Sequence, residues 1–237
     1  MSNPVFRCED LAGDQVVLSG AEGRHAATVR RIRPGETVDL VDGQGTRCTC
    51  TVTEVGRDTV SCEVVTRLVE PAAQPKLTLV QALAKGGRGE LAVELATEVG
   101  VDEIVPWTAA RCIVKADKPL DRWQASAREA AKQSRRSWFP VVHPPMTTAE
   151  VCRLPGRLLV LHEQADQGLA DFPLPAGDLV LVVGPEGGIT DEELAAFLTS
   201  GASVVRLGRS VLRTSTAGAV AAAVVSSRTG RWSSATS

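Results

Sequence analysis

Two glycine-bearing stretches carry the residue types from which a binding pocket is built. Leu179-Val180-Leu181-Val182-Val183 runs into Gly184-Pro185-Glu186-Gly187-Gly188-Ile189-Thr190. Glycines around a proline bring backbone close to a ligand and expose amide N–H groups. Thr190 and Glu193 stand at capping-box spacing, so a helix is expected to start directly after this loop. A phosphate loop would end in Gly-Lys-Ser or Gly-Lys-Thr, which is missing, and Asp191, Glu192 and Glu193 would repel a polyphosphate. The chemistry favoured is recognition of a neutral or cationic ligand, although the same residues also suit a plain strand-to-helix turn. The second stretch, Val204 to Gly208 followed by Arg209-Ser210-Val211-Leu212-Arg213-Thr214-Ser215-Thr216, is again a strand entering a turn. It leads into a helix that is small and apolar all round, and therefore buried against another helix or a second subunit.

Basic residues offer a second kind of chemistry. The net charge is −2, so the whole chain is not a general polyanion binder. Between Arg111 and Arg136, however, eight basic residues (Arg111, Lys115, Lys118, Arg122, Arg128, Lys132, Arg135 and Arg136) face three acids (Asp117, Asp121 and Glu129). That local excess could neutralise phosphates, or could be a solvated helix face. The cysteines, at 8, 48, 50, 62, 112 and 152, include no C-x-x-C pair, so reduced thiols are expected and no metal site. Cys48 and Cys50 alternate and share one strand face.

The elements that must position these residues fall into two groups. Val16–Leu18, Thr37–Val41, Arg47–Val55 and Val60–Thr66 read as short strands separated by turns such as Asp42-Gly43-Gln44-Gly45, which suggests a small β-barrel. Glu22–Ile32 reads as one short helix carrying Arg24, His25, Arg30 and Arg31, with His25 more a structural hydrogen-bonder than an acid or base. Val69 to Pro75 has no periodicity and two prolines, which places the domain boundary there. Beyond it, strands at Leu77–Ala82, Glu103–Trp107, Leu158–Leu161 and Leu179–Val183 alternate with helices at Gly89–Val99, Asp121–Ser134, Asp191–Thr199 and Thr216–Ser227. Apolar strands that do not alternate internally belong to a mostly parallel sheet covered on both faces, with ligands at the carboxyl ends of its strands. With 43% apolar and 23% charged residues, folding is expected throughout most of the chain. The first eleven residues lack the apolar core of a secretory signal, and no apolar run approaches the roughly 20 residues of a membrane span, so a soluble cytoplasmic protein is expected.

Taken together, the GPEGGIT and LGRSVLRTSTAG stretches and their spacing resemble the SPOUT-class methyltransferases that act on N3 of uridine in small-subunit ribosomal RNA. Pro4 to Arg7, His25 with Val29-Arg30-Arg31, and the Asp42–Gly45 turn are similar to that family's N-terminal PUA-like barrel. Lys85-Gly86-Gly87-Arg88, Ala96 to Val101, and Gln133 with Arg136 are similar to its catalytic domain. The resemblance implies an α/β chain with a PUA-like RNA-binding β-barrel over residues 1–70 and a SPOUT methyltransferase domain over 75–237, the latter a trefoil-knotted, mostly parallel sheet. It implies S-adenosylmethionine as cofactor, small-subunit ribosomal RNA as partner, a homodimer, and neither metal nor membrane. Leu161, Glu163, Gly184, Pro185, Glu186, Gly187, Gly188, Leu207, Gly208, Leu212, Thr214 and Ala217 are the implied cofactor residues. Arg213 is the first candidate for stabilising the base as N3 loses its proton, with Arg7 or Arg136 reaching across the dimer as alternatives. Arg7, Arg24, His25, Arg30, Arg31, Arg128, Lys132, Arg135 and Arg136 are the implied RNA contacts. Ser215, Lys132 and Leu95 depart from the family's usual Glu, Glu and Lys, and no general base is assigned. Two other readings stay open: a methyltransferase of the same class acting on another RNA such as transfer RNA, and a noncatalytic RNA-binding protein.

Overall fold

The structure is a computed structural model that describes residues 3–113 and 119–233. Lys115, Asp117 and Lys118 of the basic segment lie outside the described residues. The chain divides into two compact units, one of Met1–Ala72 with Ala131–Phe139, the other of Ala73–Ala130 with Pro140–Ser237.

The first unit is a five-stranded sheet. Its strands are β1 (Val5–Arg7), β2 (Gln15–Leu18), β3 (Thr37–Val41), β4 (Thr46–Val55) and β5 (Val60–Val69), in the order β1-β3-β4-β5-β2. Only β1 runs parallel to its neighbour. Alternation puts Val38, Leu40, Cys48, Cys50, Val52 and Cys62 on the buried face, each no more than 2% exposed. The expected helix over 22–32 is instead a short helix α1 (Gly20–Arg24) running into a π-helical turn at His25–Val29. It ends where Arg31 adopts a left-handed backbone (φ 53°) and the Ile32 amide donates to the Ala26 carbonyl at 3.1 Å, the geometry of a helix stop.

The segment 131–139 is built into this unit by polar contacts. Arg47 donates to Asp39 (3.3 Å), Glu70 (3.2 Å) and the Arg135 carbonyl (2.6 Å), and Ser137 donates to Glu70 at 2.7 Å. The Trp138 indole donates to the Glu70 carbonyl at 2.9 Å. The turn between β3 and β4 requires glycine here: Gly45 has φ 104°, and a Cβ on it would lie 2.8 Å from the Trp138 ring.

The second unit is a six-stranded, all-parallel sheet of order β11-β9-β10-β6-β7-β8. Its strands are β6 (Leu77–Ala82), β7 (Glu103–Trp107), β8 (Val141–Val142), β9 (Arg157–Leu161), β10 (Leu179–Val183) and β11 (Ser203–Val205). Helices cover both faces, which establishes the expected α/β class. One core joins Leu77, Leu79, Leu181 and Val183 to α2 (Arg88–Glu98), α3 (Pro119–Gln133) and α6 (Thr214–Arg228) through Val93, Trp123 and Ala221. The opposite core joins Val80, Val105, Val160 and Val182 to α4 (Thr148–Val151) and α5 (Asp191–Thr199) through Val151 and Phe197. α6 packs on both α2 and the sheet, where a Cβ on Gly218 would lie 2.9 Å from the Leu79 methyls, while Val220 on its outer side is 41% exposed.

Candidate cofactor pocket

A cavity of about 880 Å3 opens where β9, β10 and β11, neighbours in the sheet, reach their carboxyl ends. Its size suits a small organic ligand, for which pockets of roughly 300–1,000 Å3 are usual. Each strand contributes the loop that follows it. Leu161 ends β9 and Glu163 follows in its loop, Gly184 to Gly188 come from the loop after β10, and Leu207, Gly208, Leu212, Thr214 and Ala217 from that after β11 and the first turn of α6. The structure thus gathers onto one cavity all the residues that the resemblance assigns to the cofactor.

The loop after β10 is shaped from within and held from outside. Gly188 has φ 78° and donates its amide to the Pro185 carbonyl at 2.9 Å, closing a turn. A Cβ on Gly184 would meet Ile189 at 2.8 Å. The Arg111 guanidinium donates to the Gly187 carbonyl at 2.9 Å, and Arg88 pairs with Glu186 at 3.2 Å. Behind the loop the expected capping box is present: Glu193 donates its amide to the Thr190 hydroxyl at 3.2 Å and its carboxylate accepts the Thr190 amide at 3.1 Å. The same buried carboxylate accepts from the Ala110 amide (2.8 Å) and the Thr148 hydroxyl (3.1 Å), which fixes the strand-end segment that carries Arg111. Glu192, at the N-terminus of α5, is held below the usual carboxylate range by its own backbone amide, then by the Thr190 hydroxyl.

Arg213 lines the cavity and is exposed. Its carbonyl accepts from the Thr216 and Ala217 amides at 2.9 and 3.0 Å, so its backbone is anchored at the start of α6. No hydrogen bond or ion pair joins its guanidinium to a described residue. Arg7 and Arg136 belong to the other unit and do not line the cavity. In that unit Arg24, Arg30, Arg31 and Arg135 are exposed, while His25 is half-buried and meets Phe6 edge-on at 5.9 Å. Arg128, in the second unit, is also exposed. Lys132 requires a correction as an RNA contact. It is 7% exposed and its ammonium lies 2.6 Å from the Glu22 carboxylate, so it serves as an internal ion pair. Sequence reasoning missed Arg88, Arg111, His162 and Arg206 as cavity residues. Arg88 lies in a stretch that carried the resemblance and Arg206 immediately precedes another, but nothing local marks Arg111.

Residues 71–226 match the family model described as an RNA methyltransferase domain, and 18–65 match an RNA methyltransferase PUA domain. A protein of Mycobacterium tuberculosis named ribosomal RNA small subunit methyltransferase E is 47% identical over 238 residues, covering 95% of this chain and 91% of its own length. The chain belongs to the ribosomal RNA small subunit methyltransferase E family. Solved structures agree. The methyltransferase E of Neisseria gonorrhoeae bound to S-adenosyl methionine superposes with a TM-score of 0.89 at 31% identity, over 96% of this chain and 98% of that one. A putative methyltransferase of Legionella pneumophila in complex with the same cofactor gives 0.87 at 28% identity, over 96% and 98%.

Proposed function

We propose that this chain transfers a methyl group from S-adenosylmethionine to N3 of a uridine in small-subunit ribosomal RNA. The observation that carries the reading is the meeting of the two glycine-bearing loops on one cavity at the carboxyl ends of adjacent parallel strands. The residues fit the donor. Leu161, Leu207, Leu212 and Ala217 provide apolar surface, and Glu163 and Asp191 offer carboxylates for an ammonium group. Glu186 pairs with Arg88, and the lining Arg111, Arg206, Arg209 and Arg213 leave positive charge for the donor's carboxylate and the RNA. When bound, the donor supplies an electrophilic methyl. The chain must do the rest. N3 of uracil carries a proton and is a poor nucleophile until that proton leaves, so the site must favour the imide anion. Arg213, whose backbone is anchored at the cavity wall, is the proposed group to stabilise that anion through its positive charge. The exposed arginines at 24, 30, 31, 128 and 135 are the candidate phosphate contacts. A homodimer in the cytoplasm, with the knotted chain path and the domain limits the resemblance implies, completes the proposal. Among the described residues no helix is long and apolar enough to cross a membrane, and no cluster could hold a metal ion.

A thermal shift with S-adenosylmethionine tests the first step, since saturation at 100 times Kd adds about 2.7 kcal/mol. Mass mapping of ribosomal RNA from a deletion strain tests the second. A small-subunit RNA fragment lighter by one methyl is expected, whereas a deficit confined to transfer RNA would redirect the substrate, and no donor binding would leave an RNA-binding protein. Arg213→Ala should slow single-turnover methylation by about 10²-fold while RNA still binds. An unchanged rate would remove Arg213 from the chemistry.

A further inference from the structure

Gln81 is the fifth residue of β6, a strand whose six residues are all buried, and it is itself 0% exposed. β6 is flanked by β10 and β7, with Gln81 in register with Val183 and Pro106. A primary amide in such a place lowers stability unless its hydrogen bonds are all met. They are not, because Oε1 has no partner. The other end of the amide is engaged. Nε2 donates to the Thr214 hydroxyl at 3.0 Å, and that hydroxyl donates to the Gly184 carbonyl at 2.7 Å. The proton order is forced: a hydroxyl has one proton, the Gly184 carbonyl can only accept it, and so the group that Gln81 presents must be a donor. The amide orientation follows from the network.

The relay joins three places that the chain keeps far apart. Gln81 belongs to the sheet, Gly184 is the first residue of the loop after β10, and Thr214 is the first residue of α6, closing the loop after β11. The two loops that line the cavity are thus tied to each other through one hydroxyl and to the rigid sheet through one amide. A buried polar group that leaves an acceptor unmet is poorly explained by packing alone. We propose that Gln81 is a positioning residue that fixes the spacing of the two pocket loops through Thr214 and so sets affinity for the sulfonium donor. The identity of that ligand rests on the function proposed above; the positioning does not.

The test uses the full chain carrying Gln81→Met, Thr214→Val, or both. Methionine keeps the length of glutamine and removes its donor. Gln81→Met should unfold at the same denaturant concentration as the wild type, or at a higher one, because an unmet buried acceptor has been removed. Amides of residues 184–190 and 208–216 should nevertheless exchange with solvent about tenfold faster. Kd and KM for S-adenosylmethionine should rise about tenfold, the equivalent of about 1.4 kcal/mol, with KM for RNA unchanged. If the residues act as one relay, the double variant should be no looser than Thr214→Val alone. Wild-type exchange in the loops of Gln81→Met, or losses that add fully in the double variant, would overturn the proposal. Should Gln81→Met fail to fold, Thr214→Val decides, and unchanged exchange at 184–190 in that variant overturns the relay. A wild-type protein that ignores the donor would sink the proposed function, while loop exchange would still decide the role of Gln81.

Discussion

At the scale of single residues, burial decides which side chains are free for chemistry. Lys132 reads as a surface cation in a basic helix, yet its ammonium is spent on Glu22. Taking one partner from a buried pair strands the other, so Lys132→Ala should lower stability by about 3 kcal/mol. Replacing both, as Lys132→Met with Glu22→Leu, should recover most of that in a urea titration; additive losses would mean that the pair is not coupled. The thiols of the first unit behave in the same spirit. Burial first, then the neighbouring thiols of Cys62 and Cys48, pushes Cys50 up from 9.0 to about 12, and burial raises Cys62 to about 11. The folded-state values lie above that of the unfolded chain. Their contribution is therefore complete below about pH 9 and is lost as pH climbs toward 11 and 12. The urea midpoint should fall over that window, and Cys50→Val should flatten the fall. The Cys50 and Cys62 thiols should stay unreactive to an alkylating reagent at neutral pH.

At the scale of elements, local pattern was enough wherever an element is long and apolar or carries its own cap. Thr37–Val41, Leu77–Ala82, Glu103–Trp107, Leu179–Val183 and Asp191–Thr199 were legible to the residue, the last because Thr190 and Glu193 announce its start. The two-residue β8 and the one-turn α4 were not, since so few residues carry no period. β5 continues to Val69, beyond the expected end at Thr66. The loop after β10 also makes a testable demand. Gly187 lies outside the left-handed region and a Cβ on it would meet only Arg111, its side chain at 3.2 Å, so Gly187→Val should fold, with an unfolding free energy within about 1 kcal/mol of wild type. A branched side chain beside Arg111 would nevertheless intrude where backbone must approach the ligand, and affinity for S-adenosylmethionine should fall at least tenfold by calorimetry. Wild-type affinity would remove the close-approach argument.

At the scale of the whole molecule, RNA binding should register as a salt effect carried by exposed arginines. Changing Arg30, Arg31, Arg128 or Arg135 to Ala should reduce the slope of log K against log salt by about one unit for each phosphate that is no longer neutralised. Lys132→Ala should leave it unchanged, and a slope that none of the arginines alters would make these residues a solvated face. By itself the sequence determined the α/β class, the strand-rich first region and parallel second one, the capped helix and the two glycine-bearing turns, all read from periodicity, turn chemistry and spacing, which act over a few neighbours. That those turns hold a cofactor was implied only by the family resemblance. Only the tertiary structure decided that Arg111 holds Gly187, that Glu22 neutralises Lys132, and that Gln81 reaches Gly184 through Thr214. Those pairs are 76, 110 and, for Gln81 and Thr214, 133 residues apart. Strand order and burial bring them together, and no short-range pattern encodes which distant side chain will be buried opposite which.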